Sequence, residues 1–315
     1  MDVRQLGHDG PVTSVIGVGG SAFSGAVDVE DCVRVVRHAL DLGITLLDTT
    51  CRTGHEQVER LVGRAVAGRR GQAVLAAPAR PGGGSLARAC DAVLRRMAVD
   101  HLDVFYLDCP TWTRPIEEGV GELAELVAAG KVRHIGLAEP LAGQIHRVAG
   151  QPVSVIACEY SLLKRRAELD RIPAARAHRL GVVARGPLGR GFLAGADRLS
   201  AAHSACGDPR RAGLGIAEAG SLAERMRALR AAEEIATQLH LGLARLALVW
   251  VLAQGDIVPV PSTRSRVHLE MNASAAAIRP DPALLARLGT LFPPDWGNGT
   301  DHRDDPQARD GRTTV

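Results

Sequence analysis

The stretch that decides the fold reads Asp103-Val104-Phe105-Tyr106-Leu107, then a helical pattern over residues 119–129 closed by Gly130, then Arg133-His134-Ile135-Gly136-Leu137. The two outer segments are short runs with apolar residues on both faces. The middle segment repeats its apolar residues at three and four and stops at a glycine, as an amphipathic helix does. Strand, crossover helix and strand in that order place the two strands parallel, in a sheet buried on both faces.

Working outward, the same alternation recurs. Further runs at 14–18, 44–48, 73–77, 153–157, 182–185 and 257–260 bring the total to eight, with helical patterns at 29–42, 56–67 and 85–97 between them. Eight such units predict the α/β class and a (β/α)8 TIM barrel. Residues 3–6 and the turn His8-Asp9-Gly10 predict a small N-terminal hairpin plugging the bottom of the barrel. Residues 1–296 read as one domain, 195–220 as a long polar loop at the C-terminal face, and 297–315 as a mobile polar tail.

Composition narrows the function. Of 315 residues, 46% are apolar and 23% charged, which excludes disorder, collagen and a disulfide scaffold. The net charge of +3 is small, and arginines alternate with carboxylates around Glu224-Arg225 and Glu233-Glu234, so no nucleic-acid partner is expected. The six cysteines (32, 51, 90, 109, 158 and 206) lack CxxC spacing and read as reduced thiols in a cytoplasmic protein. The N-terminal residues form no apolar leader, and the longest apolar stretch, 241–253, is broken by Arg245, so no membrane association is expected. The expected partner is a small-molecule substrate. Only two tyrosines, Tyr106 and Tyr160, and two lysines, Lys131 and Lys164, occur, so chemistry needing a tyrosine acid or a lysine base has few candidates. Both tyrosines read as packing residues.

In such a barrel the chemistry sits on the loops after the carboxyl ends of the strands. Those loops begin at Gly19-Gly20, Asp48, Pro78, Asp108, Ala138-Glu139, Ala157, Arg185 and Ser262. The residues that carry them resemble the aldo-keto reductase superfamily over nearly the whole chain. The most telling are 39–44 running into Leu47-Asp48-Thr49, Gly130 to Leu137, Glu159-Tyr160-Ser161-Leu162, Pro187 to Leu193, and Val258-Pro259-Val260-Pro261 with Leu269-Glu270 and Asn272.

The resemblance implies an NADP(H)-binding barrel that reduces aldehydes and ketones without a metal. Carried over by position, the family's catalytic aspartate falls on Asp48, its tyrosine acid on Thr53, its lysine on Pro78 and its histidine on Asp108. A threonine hydroxyl is too weak an acid to protonate a carbonyl oxygen as hydride arrives, and proline has no ionisable group. The aromatic that stacks on the nicotinamide falls on Arg185, the Ser-Asn pair on Ala138-Glu139 and the glutamine on Ala157. The phosphate half persists. The resemblance places Gly19, Gly20, Pro187, Leu188, Gly189, Arg190, Gly191, Ser262, Thr263, Arg264, Arg266, His268 and Asn272 at the cofactor. This half-site suits NADP(H), coenzyme A or a nucleotide sugar.

The mouth therefore reads as a cluster of carboxylates with arginine counter-charges. Asp48, Asp108, Arg185, Thr53 and Glu139 are the candidate catalytic residues. Paired carboxylates at low dielectric give one acid and one base near neutrality, so the leading expectation is non-redox acid–base chemistry of lyase or isomerase type in a specialised biosynthesis, with any NADP(H) bound in no redox role. A silent NADP(H)-sensing protein and a reductase using a protonated Asp108 are the alternatives. The spacing of Asp48, Cys51, His55, Asp108 and Cys109 matches no metal-ligand pattern, so no metal is expected.

Overall fold

The structure is a computed structural model that describes residues 1–25, 28–51, 54–80, 84–195 and 219–294, with the side chains of 219–222 left aside. Thr53, the tail 297–315 and nearly all of the 195–220 loop lie outside the described residues.

An antiparallel hairpin, β1 (Val3–Gln5) with β2 (Val12–Ser14), precedes a parallel sheet of eight strands. In chain order these are β3 (Val18–Gly19), β4 (Leu46–Asp48), β5 (Val74–Ala79), β6 (Leu102–Asp108), β7 (Val132–Ala138), β8 (Val153–Glu159), β9 (Gly181–Arg185) and β10 (Ile257–Val260), each paired with its predecessor except across β3 and β10. The last seam is closed one way. Gly17 N–H donates to Pro259 O and Gly19 N–H to Pro261 O, both at 2.9 Å. A strand residue points its N–H and C=O to the same side, so each proline turns its missing donor toward β3 and returns no bond. Ser262 compensates at the rim, its Oγ donating to Gly19 O and accepting from Ala22 N–H, both at 2.6 Å.

The expected first barrel run, 14–18, is split by the structure. Ser14 ends the hairpin instead, because its Oγ bonds Ile16 O at 2.7 Å and its N–H bonds Thr45 Oγ1 at 2.8 Å, which turns the chain before β3.

Helices follow the strands: α1 (Val29–Asp41), α2 (His55–Val66), α3 (Leu86–Met97), α4 (Ile116–Ala128), α5 (Ala142–Arg147) and α6 (Arg171–Ala177), then α7 (Ala219–Gln238), α8 (Leu243–Leu252), α9 (Arg266–Ser274) and α10 (Pro282–Leu291). Polar side chains cap some of them: Asp28 Oδ1 takes Asp31 N–H at 2.8 Å before α1, and Ser85 Oγ takes Arg88 N–H at 3.3 Å before α3. Gly130 ends α4 in the left-handed region at φ 72°, where a side chain would cost strain. Between helices and sheet lies the larger apolar core; a smaller one, with Leu46, Val104, Tyr106, Val155, Val183 and Val258, fills the barrel itself. Leu6 of the hairpin turn belongs to that inner core and plugs the barrel from below. No single helix among the described residues is long and apolar enough to cross a membrane.

Candidate active site

The register brings Asp48, Asp108, Glu139 and Arg185 to the same end of the barrel. Asp48 ends β4, Asp108 ends β6, Glu139 follows β7 and Arg185 ends β9. Asp48 is 2% exposed, and its Oδ1 accepts the Thr50 N–H at 2.8 Å. Its Oδ2 is buried without a hydrogen-bond partner. Asp108 is half-buried and closes the turn after β6: its carbonyl accepts Thr111 and Trp112 N–H at 3.1 Å, and its Oδ2 accepts Thr111 Oγ1 at 2.9 Å.

Glu139 sits at φ 49°, a conformation uncommon outside glycine, pinned by its N–H bonding Ala157 O at 2.7 Å. Burial pushes its carboxyl up, against the pull of Arg185 and Arg171. Those guanidiniums stand 4.0 and 3.7 Å from its two oxygens. The Arg185 side chain is 23% exposed, and its Nη1 has no hydrogen-bond partner. Burial disfavours the Arg185 charge, yet Glu139, Asp48 and their neighbours outweigh it and hold its pKa above the ordinary value.

Two members of this neighbourhood escaped the sequence reading. Arg171, from the first turn of α6, comes from a helix end with no strand signal. Lys164 reaches Glu159 Oε2 at 3.2 Å from a turn. Tyr106 packs in the barrel interior as its sequence context predicts, and its buried hydroxyl has no hydrogen-bond partner. Tyr160, by contrast, donates to Glu168 Oε1 at 2.7 Å and lies against Trp250.

On the expected cofactor side the partners are mixed. Arg190 is engaged: its Nε and Nη2 reach the two oxygens of Glu159 at 3.1 Å, a forked pair that competes with any phosphate. Lys164 and Arg190 overcome the burial that would raise the Glu159 carboxyl and hold it below the usual range. The loop Gly186 to Gly191 is built on left-handed backbone at Gly186, Gly189, Arg190 and Gly191, with Pro187 buried and Leu188 half-buried. Gly19 and Gly20 are packing positions as well, because a Cβ there would fall 2.7 Å from Val260 O and from Val58 Cγ1, respectively.

Past β10, Thr263 Oγ1 takes Ser265 N–H at 3.1 Å, and Ser265 Oγ caps α9 at His268 N–H at 3.3 Å. Asn272 is buried, and His268 is exposed. Arg264 and Arg266 are exposed, and neither has an ion-pair partner among the described residues. No group of three or more metal-ligating side chains occurs among the described residues. Cys51 and Cys109 are free and buried, and burial pushes the Cys51 thiol up to about 11 and that of Cys109 higher.

The Aldo/keto reductase family pattern matches residues 15–289. A soybean (Glycine max) protein named probable aldo-keto reductase 1 is 32% identical, covering 95% of this chain and 92% of the relative. An aldo-keto reductase of Schizosaccharomyces pombe, yakc [NADP(+)], is also 32% identical, covering 94% and 95%. Among solved structures, an aldo/keto reductase from Klebsiella pneumoniae in complex with NADP and acetate superimposes with a TM-score of 0.76 at 25% identity, covering 93% of this chain and 96% of that one. A Klebsiella pneumoniae aldo-keto reductase in complex with NADPH gives 0.75 at 26% identity, with the same coverage.

These findings overturn the expectation of lyase- or isomerase-type chemistry without a redox role. Full-length relatives at 32% identity carry reductase names, so the altered mouth belongs to an oxidoreductase lineage and not to a separate non-redox branch. By the family match along most of its length, the chain belongs to the aldo/keto reductase family.

Proposed function

We propose that the protein is an NADP(H)-dependent oxidoreductase acting on the carbonyl group of a small molecule, with a proton donor other than the loop residue at position 53. The observation that carries this reading is the state of Arg264 and Arg266. Both are exposed beside the capped first turn of α9, and neither is neutralised by a described carboxylate. Two guanidiniums left open at a helix N-terminus suit a terminal phosphate, and they separate a 2′-phosphorylated dinucleotide from its unphosphorylated form. The left-handed loop 186–191 supports the same reading as a cradle for the pyrophosphate.

A bound NADPH supplies the hydride. This chain's own residues then have three tasks. Arg264 and Arg266 would hold the phosphate end, Arg190 would exchange Glu159 for a phosphate, and the Glu139–Arg185 pair would lie on the side of the nicotinamide. Arg185 is a donor where the family has an aromatic, so its Nη1, which faces Glu139 at 4.0 Å without a hydrogen bond, would be suited to hydrogen-bond an oxygen that gains charge.

NADPH titration followed by nicotinamide fluorescence tests the cofactor, and NADPH oxidation against a panel of aldehydes and ketones tests the reaction. Replacing both Arg264 and Arg266 by Ala should weaken NADPH at least about tenfold and leave NADH unchanged, because each charge-assisted bond is worth about 1.5–3 kcal/mol. Equal binding of NADPH and NADH by the unaltered protein, or no NADPH oxidation with any carbonyl, overturns the proposal.

A further inference from the structure

A cavity of about 270 Å³ lies at the opposite end of the barrel from the mouth. It is bounded by the turn of the N-terminal hairpin, the segment between α5 and β8, and the segment between α6 and β9. Sites for drug-sized ligands begin near about 300 Å³, so this one suits a body of a few carbon atoms.

Its walls are held by bonds between the segments that form it. Gly7 and Leu180 make an antiparallel bridge, and His8 N–H donates to Arg179 O at 2.9 Å. Gly7 takes φ 72°, and a Cβ there would fall 2.4 Å from Gly181 N and 2.8 Å from Ser154 O, so glycine lets the hairpin turn press against both β8 and β9. His146 Nδ1 and His178 Nε2 share a hydrogen bond at 2.9 Å, which orients the His178 ring on the cavity wall.

Two polar groups on this wall are not spent on the fold. Ser154 is only 8% exposed, and its hydroxyl has no hydrogen-bond partner among the described residues. Side-chain hydroxyls buried to that degree are normally paired. The Arg179 guanidinium has no ion-pair partner among the described residues. The Arg179 backbone sits at φ 56°, just past the cap of α6, where glycine is the unstrained choice. A long cationic side chain kept at that cost points to a role beyond ending the helix.

Charge and shape together select the ligand. Arg179 brings a guanidinium to the wall, and the one carboxylate there, Asp9, already lies 3.8 Å from His8 Nε2. An anion is therefore favoured over a cation. Ile145, Val148, Val153 and Leu180 make another part of the wall apolar, which a bare inorganic ion would leave uncovered. We propose that this cavity binds a small organic acid, with Arg179 and Ser154 on its carboxylate and the four aliphatic side chains against its short hydrocarbon body. A guanidinium and a hydroxyl both donate, and a carboxylate has acceptor sites for both. The site shares no residue with the mouth and stands whether or not the reductase reading does.

Isothermal titration calorimetry with hexanoate, inorganic phosphate and hexylamine tests the assignment. Hexanoate should bind at one site with a Kd of about 1 mM or tighter, and the other two at least about tenfold more weakly. Arg179→Gly suits the backbone conformation and should unfold at no lower a urea concentration, yet raise the hexanoate Kd at least about tenfold. Ser154→Ala should raise it about threefold or more. Arg185→Leu, at the other end of the barrel, should leave it within about twofold, which separates this cavity from the mouth. Absence of hexanoate binding, phosphate or hexylamine binding as tightly as hexanoate, or a loss in Arg185→Leu that Arg179→Gly and Ser154→Ala do not share overturns the proposal.

Discussion

Gly136 of β7 decides where Tyr106 can lie, which makes Gly136→Ala the sharpest probe of the barrel interior. A Cβ at this position would stand 2.3 Å from Tyr106 Cδ1, 2.6 Å from Cε1 and 3.1 Å from Val104 Cγ1. Ordinary contact begins near 3.4 Å, so the ring would have to retreat by about 1.1 Å. It has nowhere to go, because Tyr106 and Val104 are both 0% exposed. Overpacking of this kind costs about 1–3 kcal/mol, while replacing a strand glycine recovers about 0.5–1 kcal/mol of chain entropy. The clash wins, and the net loss should be about 1–2 kcal/mol.

Gly121→Ala is the matched control. It lies in α4, is exposed, and has nothing within 4 Å of its would-be Cβ, so the entropy gain stands alone and the variant should be about 1 kcal/mol more stable. Urea denaturation followed by far-ultraviolet circular dichroism measures both, with an unchanged m-value as the check that the states are comparable. Protein labelled biosynthetically with fluorinated tyrosine has two fluorine resonances, assigned by Tyr160→Phe, and that of Tyr106 should be displaced in Gly136→Ala alone. A Gly136→Ala protein as stable as the unaltered one, with its Tyr106 resonance in place, would refute the packing argument.

Three other outcomes follow from the side-chain partners. Glu159 has its pKa depressed below the ordinary 4.5 by Lys164 and Arg190 in spite of burial, so its stabilisation is present above about pH 4.5 and is lost as pH falls through the depressed value; Glu159→Gln should flatten the acid limb of a stability–pH curve, and an unchanged limb would count against the pair. Because Glu159 also holds Arg190 in a fork, the same variant should tighten NADPH binding several-fold if the guanidinium is thereby released, which a fluorescence titration reads. The thiols of Cys51 and Cys90 are raised to about 11 by burial, and Cys158 to about 12, so these three should resist thiol reagents at pH 8 in the folded protein and react on unfolding; rapid labelling of any of them under native conditions would contradict the burial.

Much of the scaffold was legible because its signals are local. Apolar runs on both faces, three-and-four spacing between them and glycine stops such as Gly130 are written within a dozen residues, and all eight expected runs overlap a barrel strand, the first of them only at Val18. The displacement of the first run comes from two side-chain bonds, Ser14 to Ile16 and to Thr45, that no periodicity records. At the site, Asp48, Asp108, Glu139 and Arg185 were readable as strand-end positions. What they touch was not. Arg190 is a free phosphate ligand on paper and is forked to Glu159, 31 residues away, in the fold.

The sequence by itself determined the barrel and the family, since each depends only on which residue stands at which step of a repeating pattern. Only the tertiary structure decided which charges are spent and which are left open. Strand register and barrel closure bring Asp48, Glu139 and Arg185 to one end of the barrel from separate strand ends, and a hydrogen bond or ion pair is set by distance in space, which chain order does not encode.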